Sequence, residues 1–303
     1  MIDWLLIVLP GVIWGASFLF IAEGLTAVPP DGVTFIRIAI GFLTLSLMPG
    51  ARKPIVRSDW KGVAALGLLW FAFPMSMFPH AEQWISSALT GMLNGTVPLF
   101  ATVVAAVLHR RWPPSMVAIG IAAGLFGGVL MAWPGLGAGG NSALGIVLVI
   151  AACISYGFAV NLARPLQQRN GALPVVWRAL LVALILTAPL GLPRALNGHW
   201  TPRAVLSLLA LGALGTCVAN VMTTIAAGRL GATSASVSAY FIPVVALLLG
   251  VLVRNEHVAS LSLIGGAVSL VAAWVVRWAS IRAAAAAPAA VATSTALPAK
   301  PSA

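Results

Sequence analysis

Long apolar stretches separated by short polar connections make up most of this 303-residue chain. Each stretch approaches the length of about 20 residues that a helix needs to cross the hydrocarbon core of a membrane. Lipid offers the backbone no hydrogen-bond partner, so such stretches must be helical. The pattern therefore predicts an all-α membrane protein with ten transmembrane helices. The predicted helices cover residues 4–22, 32–48, 62–79, 87–108, 115–133, 143–163, 174–192, 204–226, 232–253 and 259–279.

The composition agrees with this pattern, since 60% of the residues are hydrophobic and 8% are charged. A soluble domain needs more polar surface, so the apolar excess is expected to face lipid. The formal charge of +11 could suggest nucleic acid as a partner. Most Lys and Arg residues, however, fall in connections on the side that carries both predicted termini, which is the bias of cytoplasmic loops. We therefore expect both termini in the cytoplasm, the lipid bilayer as a partner, and no nucleic-acid partner.

The two halves of the chain resemble each other at an offset of 141–145 residues. This repeat predicts one five-helix unit over residues 1–142 and a second over 143–282. Because five is odd, the second unit must be inverted relative to the first, an arrangement typical of secondary transporters with a binding site between the units. Residues 283–303 are rich in Ala and Pro and are predicted to form a disordered tail. The matching positions are Trp14 and Tyr156, Arg37 and Arg178, Pro98 and Pro243, and Gly120 and Gly265.

Five segments, three in the first half and two in the second, follow one another in a specific order. They are IWGASF (13–18), TFIRIAIGFL (34–43), ALTGMLNGTVPLFATVVAAVL (88–108), LGALGTCVANVMTTIAAGRLGATSASVSAYFIPVVALLLGVLVRNE (211–256) and LIGGAVSLVAAWVV (263–276). In this order they resemble the EamA-like transporters of the drug/metabolite transporter superfamily, over about residues 4–279. The resemblance implies a ten-helix bundle in the bacterial inner membrane that exports amino acids, other metabolites or drugs.

One position departs from the pattern of that family. Its members usually have a Glu after the fourth membrane helix, whereas this chain reads LHRR (108–111) and has Arg111 there. The second half keeps the acid as Glu256. The resemblance therefore does not extend a paired gating role to these two positions.

Arg37 and Arg178 are cations within predicted membrane helices. A cation in hydrocarbon costs about 2.5–3.5 kcal/mol on insertion scales, so each needs a reason to be there. One interpretation is that they line a cavity and attract an anionic group such as a substrate carboxylate. The other is that they extend to the interface from positions near the helix ends. The sequence leaves both interpretations open.

Other polar and aromatic residues in the apolar stretches suit a cavity for amphipathic solutes, although helix packing, or for His80 a solvated helix end, would also explain them. These further candidates are Trp14, His80, Asn94, Tyr156, Asn161, Asn220 and Tyr240. Pro98 and Pro243 each remove a backbone donor and permit a bend, so both are predicted hinges. The stripe of Gly120, Gly124 and Gly128 predicts close helix packing.

No acidic residue falls in the middle of a predicted helix, so a deep carboxylate relay has no candidate. Proton coupling would have to use Glu23, Glu82 or His80, and the sequence does not decide whether it occurs. Cys153 and Cys217 are too few for a metal cluster or a disulfide framework. We expect neither a metal nor a cofactor.

These features predict a secondary transporter that moves a small-molecule substrate by alternating access, not an enzyme. Efflux as the direction rests on the family resemblance alone. The chain has no GxxxxGK[ST] phosphate loop, so ATP hydrolysis is not expected. Two alternatives stay open, a membrane-embedded enzyme and a non-transporting partner protein. The sequence names neither the substrate nor the oligomeric state, monomer or homodimer.

Overall fold

The computed structural model describes residues 2–110, 112–137, 141–230 and 236–286. Helices make up 87% of the structure, and these four ranges contain no strand. The α-helices are α1 (Ile2–Gly24), α2 (Pro30–Ser46), α3 (Trp60–Leu66), α4 (Phe73–Ala81), α5 (Ser87–Asn94), α6 (Val97–His109), α7 (Ser115–Leu136), α8 (Ser142–Asn170), α9 (Ala172–Leu196), α10 (Pro202–Ala210), α11 (Ala219–Leu230), α12 (Phe241–Arg254) and α13 (Ser260–Ala286).

Nine helical segments within the described ranges are long and apolar enough to cross a membrane. They overlap nine of the predicted helices, with ends that differ by a few residues. The remaining prediction, 32–48, corresponds to α2, a helix of 17 residues. Large apolar side chains such as Leu47, Trp112 and Leu252 are exposed on the outside of the bundle, as lipid-facing residues would be. The prediction of an all-helical membrane protein is confirmed at this level.

Two crossing segments contain a π-helical stretch near their middle. Gly67–Ala72 joins α3 to α4, and Leu211–Val218 joins α10 to α11. The two stretches begin 144 positions apart, which fits the offset between the halves. The wider turn of a π-helix disturbs the regular backbone ladder, so carbonyl groups in it can accept hydrogen bonds from outside the helix.

The crossing segment that matches the fourth predicted helix is interrupted, because α5 ends at Asn94 and α6 begins at Val97. Pro98 therefore lies in the first turn of α6, where a missing backbone N–H is tolerated. Pro243 lies in the first turn of α12, directly after the 3₁₀ segment Ser236–Tyr240. Pro98 thus follows a turn between two α-helices and Pro243 follows a 3₁₀ segment, and their role as hinges stays a prediction.

The most extensive helix contacts join the two halves of the chain. α7 packs along α13, and α2 packs along α9. The first helix, α1, contacts α12, while α8, the corresponding helix of the second half, contacts α6. Helices from one half thus complete the packing of the other.

Glycines allow α7 and α13 to approach closely. A Cβ added to Gly120 or Gly124 would lie 2.7 or 3.1 Å from side chains of α13, and one added to Gly127 would lie 2.7 Å from the carbonyl oxygen of Gly265. A Cβ on Gly128 would meet its nearest neighbour only at 3.6 Å. The predicted packing stripe therefore holds for Gly120 and Gly124, with Gly127 in place of Gly128.

The last helix is longer than predicted. α13 continues to Ala286, so the first four residues of the predicted tail are helical. Alanine has the highest helix propensity of all residues, and the run of alanines after Arg282 extends the helix by that preference. Residues 287–303, which hold the rest of the predicted tail, lie outside the described ranges, as does Arg111.

Candidate substrate cavity

A cavity of about 200 Å³ lies at the centre of the bundle, between helices of both halves. Its wall is mainly apolar and aromatic, with a few polar groups, as in sites for small amphipathic ligands. The lining residues are Trp14, Ser17, Phe18, Arg37, Trp70, Met75, Phe78, Asn94, Val97, Pro98, Tyr156, Val160, Gly215, Asn220, Ala239 and Ile242.

The two π-helical stretches hold the first helix of the opposite half. Trp14 Nε1 on α1 donates a hydrogen bond of 3.0 Å to the carbonyl oxygen of Gly215. Ser155 Oγ on α8 donates one of 2.7 Å to the carbonyl oxygen of Leu69. Both acceptors lie in π-helical backbone. Buried carbonyls need partners, so these bonds fix α1 and α8 beside the cavity.

Arg37 supplies the cation of this cavity. Its side chain is buried, and its Nε donates a hydrogen bond of 3.1 Å to Thr216 Oγ1 on the second π-helical stretch. A guanidinium has five N–H donors and is always charged. No carboxylate among the described residues lies within ion-pair distance of Arg37. The remaining donors are therefore available to an anionic group in the cavity.

Aromatic rings and one amide complete the wall. The ring of Phe78 meets Phe18 edge-on at 5.5 Å and stacks on Tyr156 at 6.0 Å, measured between centroids. The buried Oδ1 atom of Asn94 has no hydrogen-bond partner within the described ranges. A ligand N–H or O–H could satisfy this acceptor, because buried polar atoms normally have a partner.

A second cavity of about 520 Å³ adjoins the first and extends toward the end of the bundle where α1 begins and α13 ends, hereafter the terminal end. The hydroxyl of Tyr240 donates a hydrogen bond of 3.0 Å to the carbonyl oxygen of Ala273, and Arg277 lies on the same wall. Residues shared by both cavities are Trp14, Val97, Pro98, Val160 and Ala239.

The opposite end, hereafter the distal end, is closed by ion pairs. Glu23 near the end of α1 binds Arg203 with an Nε–Oε2 distance of 2.7 Å and Arg254 with an Nη1–Oε1 distance of 2.7 Å. Arg254 Nε also lies 3.3 Å from Glu256 Oε1. Charge-assisted bonds of this kind are stronger than neutral ones. They connect α1 to α10 and α12 across the distal end.

Glu256 also caps the first turn of α5. Its Oε1 accepts hydrogen bonds from the backbone N–H and hydroxyl of Ser87, and its Oε2 accepts one of 2.8 Å from the N–H of Ala88. A carboxylate is stabilised at a helix N-terminus by the unpaired N–H groups and by the helix dipole. Glu256 therefore ties the second half to the first at the distal end.

Glu82, just after α4, has different surroundings. Both carboxylate oxygens are buried, and neither has a hydrogen-bond partner among the residues that the structure describes. Burial is the main reason why the pKa of Glu82 is well above its ordinary value. The negative charge of Glu256 raises this pKa further, against smaller opposite effects of Arg254 and Arg37.

Comparison with known proteins agrees with this architecture. The model of the EamA-like transporter family matches residues 2–133 and 143–278, which is once in each half. The chain belongs to the EamA-like transporter family. Relatives named as transporters, one of them as an inner membrane transporter, and nine apolar helical segments in the described ranges support a multi-pass inner membrane protein.

Three relatives are similar to this chain over most of its length. The uncharacterized transporter YdfC of Bacillus subtilis is 26% identical, over 85% of each chain. A "Probable terminal-alkyne amino-acid exporter" of Streptantibioticus cattleyicolor is 27% identical, over 87% of this chain and 89% of its own. The uncharacterized inner membrane transporter YedA of Escherichia coli K12 is 28% identical, over 79% and 78%.

One solved chain, described only as a crystal structure of a protein, has the same fold. It superposes with a TM-score of 0.61 at 18% identity, over 91% of this chain and 96% of its own. At this level of identity the likeness concerns the fold alone.

The structure of this EamA-like protein brings several of the predicted site residues together. Those that line the central cavity are Trp14, Arg37, Asn94, Pro98, Tyr156 and Asn220. Tyr240 lines only the adjoining cavity. Pro243 lines neither cavity. It packs on the turn between α5 and α6, since a Cβ added to Gly95 would lie 3.0 Å from Pro243 Cγ.

Arg178 does not line either cavity. Its guanidinium lies over the rings of Trp60 and Trp177, at 5.7 and 5.4 Å from their centroids. One N–H group donates to the carbonyl oxygen of Pro174 in the first turn of α9. This placement near a helix end is what the interfacial interpretation of Arg178 predicts.

His80 and Asn161 also lie outside the wall of the central cavity. His80 contacts the carbonyl oxygen of Ser76 through Nδ1, and its Nε2 lies 3.6 Å from Asp31. Asn161 Nδ2 donates to the carbonyl oxygen of Ala101 at 3.0 Å and so connects α8 to α6. For Asn161 the structure shows the helix-joining contact that a membrane amide can make.

Sequence reasoning missed Thr216, which holds Arg37, and the distal ion pairs. Glu23 binds partners that lie 180 and 231 positions away in the chain. The only available signal was that these charged residues fall at helix ends on one side of the predicted bundle. Arg111, the residue that departs from the family pattern, lies outside the described part of the chain.

Proposed function

We propose that this protein is a secondary transporter that exports small amphipathic metabolites, amino acids in particular, or drugs by alternating access. The observation that supports this proposal is a central cavity with one buried cation, bordered by both halves and closed at one end by ion pairs. Relatives named as transporters support the same class of activity.

Reciprocal contacts between the halves support an inverted repeat. Trp14 on α1 binds the π-helical stretch of the second half, and Ser155 on α8 binds that of the first. The pairing of α1 with α12 has its counterpart in the pairing of α8 with α6. With α2 counted as a membrane helix, each unit has five spans, so the two units run in opposite directions and can exchange conformations.

The distribution of positive charge indicates which side the cavity faces. If the Lys- and Arg-rich connections lie in the cytoplasm, both termini lie there as well. The cavity then faces the cytoplasm, and the ion pairs of Glu23, Arg254 and Glu256 close the periplasmic side. In this proposal the structure represents the inward-facing conformation, which loads substrate from the cell interior.

Arg37 is the proposed anchor for a substrate carboxylate. It has unused N–H donors at the cavity wall, and a guanidinium binds carboxylates with two parallel bonds. The aromatic wall of Phe78 and Tyr156 would contact an apolar side chain, and Asn94 Oδ1 would accept from an N–H group. The relative named as an amino-acid exporter is consistent with this class of substrate.

An exchange assay tests the proposal. Proteoliposomes are loaded with an unlabelled mixture of the twenty L-amino acids, and uptake of each labelled amino acid is measured, with the cationic dye ethidium in a parallel series. We expect concentrative exchange of at least one amino acid and none in protein-free liposomes. Correctly inserted protein that exchanges no amino acid and moves no dye would contradict the proposal.

A further inference from the structure

The carboxylates of this protein differ in how they are satisfied. Glu23 binds Arg203 and Arg254, and Glu256 binds Arg254 and the first turn of α5. The remaining acids are Asp3, which is exposed, Asp31, which lies 3.6 Å from His80, Asp59, which binds Arg169 and Asn170, and Glu82. Glu82 combines two buried carboxylate oxygens with the lack of any hydrogen-bond partner in the described ranges.

A buried carboxylate without a partner is unfavourable in its ionised form, because no donor replaces the water that it has lost. Protonation removes this cost. The charged groups that act on Glu82 from neighbouring elements are Glu256 and Arg254 at the end of α12 and Arg37 on α2. Burial and the negative charge of Glu256 outweigh the two arginines, so the pKa of Glu82 is well above its usual range.

Glu82 lies in the wall that separates the cavity from the distal side. Its side chain borders a pocket at the distal end, together with Thr26 and Arg254. Both of its carboxylate oxygens are nevertheless buried, with no hydrogen-bond partner among the described residues. On the other side of the wall, Arg37 acts on Glu82 electrostatically and lines the central cavity. A group in this place would change its access to water if the distal end opened.

We propose that Glu82 is a proton-binding site of the transport cycle, which holds its proton while the distal end is closed and exchanges that proton with water when the end opens. The proposal rests on the proposed transport function. Opening must separate the ion pairs of Arg254, and water would then reach the carboxyl group and stabilise its ionised form. The same movement would connect substrate release with proton exchange.

Infrared spectroscopy of the purified protein tests whether the proton is present, without any substrate. We expect the wild-type protein at pH 7 to show the C=O band of a protonated carboxylic acid in dry surroundings, and Glu82→Gln to lack it. Asp3→Asn, which removes an exposed carboxylate, should keep the band. A wild-type spectrum without the band, or a band that persists in folded Glu82→Gln, would overturn the proposal.

Flux measurements test whether that proton takes part in transport. In proteoliposomes with the mixture of twenty L-amino acids, exchange by the wild-type protein and by Glu82→Gln is first measured at equal pH on both sides. An imposed pH gradient should change wild-type net flux several-fold and leave the flux of Glu82→Gln within twofold of its value without a gradient. Equal responses of both proteins to the gradient, or exchange in a wild-type protein that ignores it, would reject the role of Glu82.

Failure of the transport proposal gives a different result. A wild-type protein that shows no exchange at all contradicts the transport function, whereas the infrared band still reports on the proton at Glu82. The two hypotheses can therefore fail separately.

Discussion

Arg37 and Arg178 occupy matching positions in the two halves, yet their surroundings differ. Arg37 binds Thr216 on a π-helical stretch and lines the central cavity. Arg178 lies over Trp60 and Trp177 near the end of its helix and lines neither cavity. Residues at matching positions of the two halves thus have different surroundings, Arg37 at the central cavity and Arg178 near the end of its helix.

The two ends of the bundle differ in the same sense. The distal end is held by the ion pairs of Glu23, Arg254 and Glu256, and Glu256 also caps α5. In the first half the residue that matches Glu256 in sequence is Arg111, and a cation cannot cap a helix N-terminus. The sequence of the first half therefore does not supply, at the matching position, the carboxylate that Glu256 contributes to the distal end.

The largest expected effect concerns the two arginines. Replacing Arg37 by Gln removes the proposed charge-assisted contact to the substrate. Because such a bond contributes about 1.5–3 kcal/mol, exchange should fall about 10- to 100-fold. Arg178→Gln is the matched control and should change exchange less than threefold. The measurement is initial exchange rate against amino-acid concentration in proteoliposomes. Equal losses in both variants would show that neither arginine contacts substrate.

The two ends can be compared through Arg254 and Arg169, each of which binds a buried acid. Arg254→Gln removes contacts to both Glu23 and Glu256. Because these ion pairs are partly buried, the free energy of unfolding should fall by about 2 kcal/mol, a value between those of exposed and of buried ion pairs. Arg169 is more exposed, so Arg169→Gln should cost less. Denaturant unfolding in detergent measures both. A larger loss for Arg169→Gln would mean that the distal pairs are not the stronger fastening.

The pH dependence of stability follows from Glu82. Its folded pKa lies above the ordinary value of 4.5, so the folded state binds this proton more tightly than the unfolded state does. The contribution of Glu82 to the stability of the folded state is most favourable below pH 4.5 and is lost as the pH rises through the raised pKa. The melting temperature of Glu82→Gln should therefore gain on that of the wild-type protein as pH increases from 5 to 9. A difference that stays constant over this range would contradict the raised pKa.

The smallest effect is expected at the two prolines. Pro98→Ala and Pro243→Ala allow the helix to continue through each interruption. Because such a substitution changes the free energy of the flexible state by about 0.4–1 kcal/mol, each variant should exchange substrate about two- to fivefold more slowly. Similar losses at both positions would support equivalent roles in the two halves. Wild-type rate and affinity in both variants would remove the hinge hypothesis.

The sequence was sufficient for the helices but not for their partners. Apolar length alone located the crossing segments, because membrane helices must satisfy their own backbone. Polar and aromatic residues inside these apolar stretches also indicated Trp14, Arg37 and Tyr156 as cavity candidates, and all three line the central cavity. The sequence did not predict the π-helical stretches, because their free carbonyl groups accept hydrogen bonds from residues far away in the chain, such as Trp14 and Ser155.

Sequence could not separate Arg37 from Arg178, which lie in similar apolar stretches at matching positions. Their difference arises from tertiary contacts with Thr216 in one case and with Trp60 in the other. Nor could it show that Glu82 lacks a partner while Glu23 has two, since both are acids near helix ends. Such differences depend on residues far apart in the chain.

Side-specific labelling of one cavity residue tests the alternating-access account most directly. Ala239 lines both cavities, so Ala239→Cys, in a chain with Cys153→Ala and Cys217→Ala, places a single thiol there. A membrane-impermeant maleimide is added to inside-out or right-side-out membrane vesicles. The account predicts rapid labelling from the cytoplasmic side, slow labelling from the periplasmic side, and faster periplasmic labelling when Arg254→Gln is added. Equal labelling from both sides, or labelling only from the periplasm, would contradict it.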